Sequence, residues 1–261
     1  MSLLRVDDLS KEFGGVHAIA DLNFSFNAGT IHSIIGPNGA GKTTLFNLIS
    51  GIYTPTTGRV FLEDQDVEGL APYELAAMGL SRTFQNLQIF FNMTALENVM
   101  VGLHLRLDTR FWPALLGIGG VGGKETEARE QAAELMRFVG LEAYLDADAD
   151  AMPFGALKRL EIARGLASQP KIILLDEPAA GLNTNETEEI DELIRKISET
   201  GVTVVLVEHD MRLVMGVSDH ILVLDNGRKL GEGKAADIQS NADVIQAYLG
   251  AGHLANGDTD D

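Results

Sequence analysis

Ile172 to Leu175, Val202 to Val207 and Ile221 to Leu224 are short, almost unbroken apolar runs bounded by polar or charged positions. Runs without polar alternation belong to strands buried on both faces, so these three predict a parallel sheet covered by helices. Between the first two, Ile190, Leu193, Ile194 and Ile197 fall at the spacing of a helix that buries one stripe. The second half of the chain therefore reads as α/β.

The first part reads differently. Runs around Ile19 to Phe26, Ile31 to Ile35 and Arg59 to Leu62 are separated by Gly and Asn turns, the pattern of a small, mainly antiparallel sheet. From about Thr94 to Val139 the period becomes helical, with Leu96, Val99, Met100 and Leu103 on one face and Ala128, Ala132, Leu135, Met136 and Val139 on another. The apolar segment FWPALLGIGGVGG, residues 111–123, is broken by Pro113 and five Gly and is too short to span a bilayer. It reads as a loop packed on its own domain, with a partner-docking loop as the alternative. The ending NGDTDD, within an acidic tail at 251–261, is expected to be disordered.

Composition narrows the function classes. A chain of 261 residues with 45% hydrophobic residues can bury a sizeable core. A formal net charge of -18 repels phosphate backbones and anionic lipid, which disfavours nucleic acid as a partner. Without cysteine there is no disulfide framework or thiolate metal site, which suits a reducing compartment. No run of about 18 apolar residues occurs, so any membrane link is expected to go through a partner.

Residues 36–43, GPNGAGKT, follow the apolar strand IHSII and precede the helix TLFNLIS. That is the context a phosphate-binding loop requires, and it sets aside an ordinary glycine turn. Gly36, Pro37, Asn38, Gly39, Ala40 and Gly41 form the loop. Its glycines let backbone N–H groups turn inward around phosphate oxygens, and Thr44 lies in the opening turn of a helix whose positive end faces them. Lys42 is expected to reach the β and γ phosphates and the Thr43 hydroxyl to bind Mg²⁺. The strand KIILLDE ends in two carboxylates: Asp176 would hold Mg²⁺ through its water shell, and Glu177 would polarise the water that attacks the γ phosphate. TVVLVEHD delivers His209 to the same sheet edge, a γ-phosphate contact. Gln85, in SRTFQN, is by itself an unremarkable loop residue. MPFGALKRLEIAR, residues 152–164, reads as a loop with Pro153 entering a basic amphipathic helix.

Taken together, GPNGAGKT, Gln85, MPFGALKRLEIAR, IILLDEP, AAGLN and VEHD stand in the order and spacing of the ATP-binding cassette family, over nearly the whole chain. The resemblance implies a P-loop NTPase core with a parallel sheet, an N-terminal antiparallel β subdomain and an inserted α-helical subdomain. The domain would span 1–250, with about 86–165 inserted. It implies ATP and Mg²⁺ as cofactors, and two cassettes sandwiching two nucleotides head to tail. MPFGA occupies the place of the family signature, usually Leu-Ser-Gly-Gly-Gln, so that Phe154 and Gly155 would meet the nucleotide held by the other cassette. By the same resemblance Gln85 links the site, on its metal side, to membrane subunits. His209 is the switch histidine, Glu177 the catalytic base, and Phe13 the aromatic that stacks on adenine.

RTFQN, LEIARG, DEPAAGLN, EHDM with LVMGVSDHILVLDNG, and VIQAYLG look closer still to the LivG-type subunit of branched-chain amino acid importers. The expected partners are a second, related cassette forming a heterodimer, transmembrane permease subunits and, indirectly, an extracytoplasmic solute-binding protein. The expected location is the cytoplasmic face of the inner membrane, as a peripheral subunit. Phe90, Phe91 and Met93, just after Gln85, would line a groove for a permease helix, with core packing as the alternative. Three residues depart from the family pattern: Pro153 for Ser, Ala156 for Gln and Asn183 for Asp. Pro supplies neither a hydroxyl nor an N–H donor. A lipopolysaccharide exporter's ATPase, a cassette that switches dimerisation with slow turnover, and an ATP-driven clamp on nucleic acid are the other readings. The clamp would need a coiled-coil insertion, a second cassette or a basic surface.

Overall fold

The unbroken apolar runs become the centre of a six-stranded sheet in the computed structural model, which describes residues 2–103 and 121–247. Its strands are β3 (Ile31–Ile35), β6 (Leu80–Arg82), β7 (Ile172–Asp176), β8 (Thr203–Val207), β9 (His220–Asp225) and β10 (Arg228–Gly233). They lie in the order β10-β9-β3-β8-β7-β6, parallel except for β10 at the edge. β1 (Ser2–Phe13), β2 (Val16–Asn27), β4 (Thr57–Leu62) and β5 (Gln65–Asp66) make a second, antiparallel sheet in the order β2-β1-β4-β5.

One expectation needs correcting. Ile31 to Ile35, grouped by pattern with the antiparallel runs, is the central strand of the parallel sheet between β8 and β9. All five of its residues are buried, the mark of a strand covered on both faces, whereas β2 alternates buried and exposed residues along its second half. β1 escaped notice because its alternation is broken: the register shifts between Val6 and Leu9, where Asp8 has φ 46°.

Residues of the parallel strands face two cores in turn. Ile34, Ile172, Leu174, Val205, Val207, Leu222 and Leu224 pack with α1 (Lys42–Ile49) and the antiparallel sheet. Ile31, Ile35, Ile173, Leu175, Val204, Leu206, Ile221 and Val223 pack with the helices on the other side. The short helix α2 (Pro72–Met78) precedes β6, and α3 (Ala95–Gly102), α4 (Val121–Phe138) and α5 (Phe154–Ala167) form the helical part. α6 (Thr184–Glu199) connects β7 to β8, α7 (Met211–Val217) connects β8 to β9, and α8 (Ala235–Ser240) follows β10. Thr94 caps α3 by accepting from the Glu97 N–H, and Leu96, Val99 and Leu103 are buried as their spacing predicts. α3 crosses α5 so closely that a Cβ on Gly102 would sit 2.2 Å from the Arg164 carbonyl oxygen. Of the segment 111–123, residues 111–120 lie outside the described residues, as does the tail at 251–261. Val121, Gly122 and Gly123 open α4 and are helical. Among the described residues no helix is long and apolar enough to cross a membrane.

Candidate functional site

Parallel strands present their carboxyl ends to one edge of a sheet, so whatever follows β3, β7 and β8 must converge. A cavity of about 310 Å³ opens there, lined by Asn38 to Thr44 from the loop after β3, by Gln85, Glu177 and His209, and by Ala18. Segments distant in sequence thus meet around the glycine loop.

The loop is held by close backbone packing. A Cβ on Gly36 would sit 2.2 Å from the Leu224 carbonyl oxygen. One on Gly41, whose φ is +101°, would lie 2.7 Å from that of Ala18. Gly39, which lines the cavity, has open space where its Cβ would be. Lys42 opens α1 and is 7% exposed. Its ammonium donates to the carbonyls of Gly36 at 2.7 Å and Pro37 at 3.0 Å, and no carboxylate among the described residues is in hydrogen-bonding contact with it. Burial lowers the Lys42 pKa, against the nearby charges of Glu177 and Asp176. A buried ammonium satisfied only by carbonyls, at the mouth of a glycine-walled cavity, is a donor set suited to a polyanion.

Glu177 turns the chain out of β7 with φ +51°, a left-handed conformation that a non-glycine residue adopts only under strain of about 1–3 kcal/mol. Its N–H donates to Val207 in β8 at 3.0 Å, and its carbonyl accepts from Lys158 of α5 at 3.2 Å. Its carboxylate is pinned from two sides: Oε1 lies 2.7 Å from His209 Nε2, and Oε2 accepts from Gln85 Nε2 at 3.1 Å. Glu208, 4% exposed, fixes the backbone around this pair by accepting from the N–H groups of Ala179 at 2.8 Å and His209 at 3.0 Å. Burial raises the Glu208 carboxyl above its usual range despite those donors.

Asp176, 5% exposed, stands behind this group and does not line the cavity. Its Oδ2 is paired with Arg82 Nη2 at 3.0 Å. Burial pushes the Asp176 carboxyl up, and the Arg82 guanidinium pulls it back. Thr43, at the cavity wall, and Asp176 thus stand on α1 and at the end of β7.

Of the predicted site residues, Gly36, Pro37 and Asp176 do not line the cavity, and three more, Phe13, Phe154 and Gly155, lie apart from it. Phe13, 43% exposed, ends β1, where Tyr53 meets it edge to face at 5.3 Å and the Lys11 ammonium stands 4.9 Å from its ring centre. Phe154 and Gly155 begin α5, capped by Pro153 without any side-chain hydrogen bond. The Phe154 ring lies over Gly181, and Gly155 lies against Glu186. A separate groove of about 640 Å³ runs between β6 and the helical part, lined by Phe84, Leu87, Phe90, Val101 and Arg164 among others. Phe90 lines it, whereas Phe91 and Met93, expected beside it, do not. Asn98, fully buried, fixes this turn by accepting from the Phe90 N–H at 2.9 Å and donating to its carbonyl at 3.0 Å. Ala18, Arg82, Lys158 and Glu208 carried no signal of their own in the sequence, although Arg82 stands within SRTFQN, the run that holds Phe84 and Gln85.

Comparison with known proteins gives the chain its relatives. The sequence profile of the family described as ABC transporter matches residues 19–180, and that described as branched-chain amino acid ATP-binding cassette transporter matches residues 228–254. The high-affinity branched-chain amino acid transport ATP-binding protein LivG of Escherichia coli is 45% identical over 95% of this chain and 98% of its own. Its counterpart BraF of Pseudomonas aeruginosa is 44% identical over the same shares. Among solved structures, the ADP conformation of an ATP-binding cassette of an ABC transporter superposes with TM-score 0.83 at 33% identity, covering 96% of this chain and 99% of that one. A dimeric cassette in a post-hydrolysis state bound to ADP and Pi gives 0.75 at 29% identity, covering 89% and 98%.

Proposed function

The chain belongs to the ATP-binding cassette transporter family, and on that premise we propose that it is the ATP-hydrolysing subunit of an importer of branched-chain amino acids. One observation carries the reading: the Glu177 carboxylate is held by His209 and Gln85 at the rim of the glycine-walled cavity. The match of residues 228–254 to the branched-chain amino acid cassettes supports the solute class.

The glycine loop supplies N–H donors to the phosphate chain, and Lys42 exchanges its two loop carbonyls for β and γ phosphate oxygens. Glu177 accepts the proton of the attacking water as the water oxygen bonds to the γ phosphorus and the bond to the β-phosphate oxygen breaks. His209, at hydrogen-bond distance from Glu177, donates to the γ phosphate. Thr43, Gln85 and Asp176 would hold Mg²⁺, which would offset the negative charge of the phosphate chain. Phe13, exposed at the end of β1, offers a ring face to the adenine. Phe154 and Gly155 belong to the site of the other cassette, consistent with their absence from this cavity's lining and with the dimeric relative.

The groove beside Phe90 receives a permease helix at the cytoplasmic face of the inner membrane, and Gln85, which donates to Glu177, follows Phe84 of the groove's wall in sequence. The test is reconstitution of the chain with its membrane subunits and second cassette in vesicles. ATP-dependent uptake of leucine, isoleucine or valine is the expected result. ATP hydrolysis without such uptake overturns the solute class, and absence of hydrolysis overturns the enzyme.

A further inference from the structure

Arg82 is the last residue of β6, three positions before Gln85, and its side chain is as buried as that of Asp176, each 6% exposed. The two arms of its planar guanidinium serve different elements. Nη2 holds Asp176 Oδ2 at 3.0 Å, while Nη1 donates to Asn47 Oδ1 at 2.7 Å and to Ser50 Oγ at 2.8 Å. Asn47 lies on α1 and Ser50 caps its end, and α1 is the helix whose first turn carries Thr43. The rings of Phe46 and Phe84 flank the guanidinium at 5.4 and 5.0 Å. Its Nε is buried without a hydrogen-bond partner among the described residues. A plain surface counter-ion would keep its donors in water; this one gives up hydration to stand where three elements meet.

We propose that Arg82 is a positioning residue for the metal side of the site, holding Asp176 by one oxygen and locking it to the helix that carries Thr43. The inference rests on the reading of Thr43 and Asp176 as the metal-side pair. Arg82 takes Oδ2, and no hydrogen bond among the described residues takes Oδ1, so the fixed carboxylate keeps one oxygen for the metal's water shell. Lysine cannot substitute fully, because a single ammonium lacks the two arms that reach Asp176 and α1 at once. Phe84 connects the same guanidinium to the wall of the groove beside Phe90.

The test uses the purified full chain and reads metal binding, not turnover. Binding of a fluorescent ATP analogue is titrated with Mg²⁺, and Mn²⁺ affinity with a non-hydrolysable analogue is read by electron paramagnetic resonance. Arg82→Met is expected to leave nucleotide affinity in EDTA within about twofold while raising the metal concentration at half-saturation about tenfold, the usual scale for groups that orient a metal's ligands. Arg82→Lys, which keeps the charge, is expected to lie between and serves if the Met variant does not fold. In an Asp176→Asn background, Arg82→Met should add nothing. Unchanged or tightened metal affinity in Arg82→Met and Arg82→Lys, with weakened affinity in Asp176→Asn, overturns the role of Arg82 alone. Unchanged metal affinity in Asp176→Asn overturns the reading of the metal side and this inference with it.

Discussion

The phosphate-loop edge gathers Lys42, Gln85, Glu177 and His209 around one cavity, while the start of α5 places Pro153, Phe154 and Gly155 outside it. At the first edge the carboxylates are tied to distant parts of the chain: Glu177 to His209 and Gln85, Asp176 to Arg82, Glu208 to the Ala179 N–H. At the second edge the bracing is steric. Phe154 rests on Gly181, Glu186 abuts Gly155, and the helix start lacks a side-chain cap. A helix start carries unpaired N–H groups and a positive end that favour an anion. On the proposed function, the difference is that between a site assembled within one chain and a half-site that acts on another chain's nucleotide.

The largest expected effect lies at the assembled edge. Glu177→Gln keeps the shape and removes the proton acceptor, so ATP binding should persist while turnover falls by about 10²–10⁴-fold. Lys42→Ala should instead lose nucleotide affinity. Near-normal hydrolysis by the Glu177→Gln transporter would remove the proposed base. If the partner is a related cassette with an ordinary signature, the same change there should have a smaller effect than here, since only the site on the partner's loop depends on Pro153. Equal losses from matched single variants would mean that the two sites are equivalent.

The two edges were not equally legible. Sequence alone singled out the glycine loop, Asp176 and Glu177, because the motif and the strand ends are local signals. His209 followed from the rule that parallel strands end together. Gln85 had no signal of its own, and only resemblance singled it out. Arg82, Lys158 and Glu208 act through pairings 94, 19 and 29 residues away in sequence, to Asp176, Glu177 and Ala179. No spacing rule reaches such partners. The misplacement of β3 has a similar cause, since a five-residue run states its burial but not its neighbours. At α5, the pattern revealed a helix start but neither Glu186 nor Gly181 across from it.

A smaller effect would sharpen the contrast at Pro153. Its φ of -66° and ψ of 155° suit serine equally well. Pro153→Ser supplies an N-cap hydroxyl, which should raise stability of the isolated chain by about 1 kcal/mol. In the assembled transporter the hydroxyl would also add a hydrogen bond to a charged phosphate, worth about 1.5–3 kcal/mol, or about tenfold and more in turnover at the site built on the partner's loop. A higher melting temperature with unchanged turnover would leave Pro153 as a residue that fixes a turn and nothing else.

The smallest effect concerns the steric bracing itself. A Cβ on Gly155 would approach Glu186 Oε1 to 2.5 Å and its Cδ to 2.9 Å. Glu186 cannot yield freely, because its Oε2 accepts from the Asn183 N–H at 3.0 Å while Asn183 in turn accepts from the Glu186 N–H at 3.1 Å, a reciprocal cap at the start of α6. Gly155→Ala should therefore displace the cap and destabilise the chain by about 1 kcal/mol, read as a drop in denaturation midpoint. Glu186→Ala should lose a similar amount through the same cap. The double variant should then be no worse than Glu186→Ala alone, because the collision and the cap are one contact seen from its two sides. Additive losses would mean that Gly155 is required for its backbone and not for the room Glu186 occupies. The start of α5 would then be shaped from within its own helix, and the steric half of the contrast would fall.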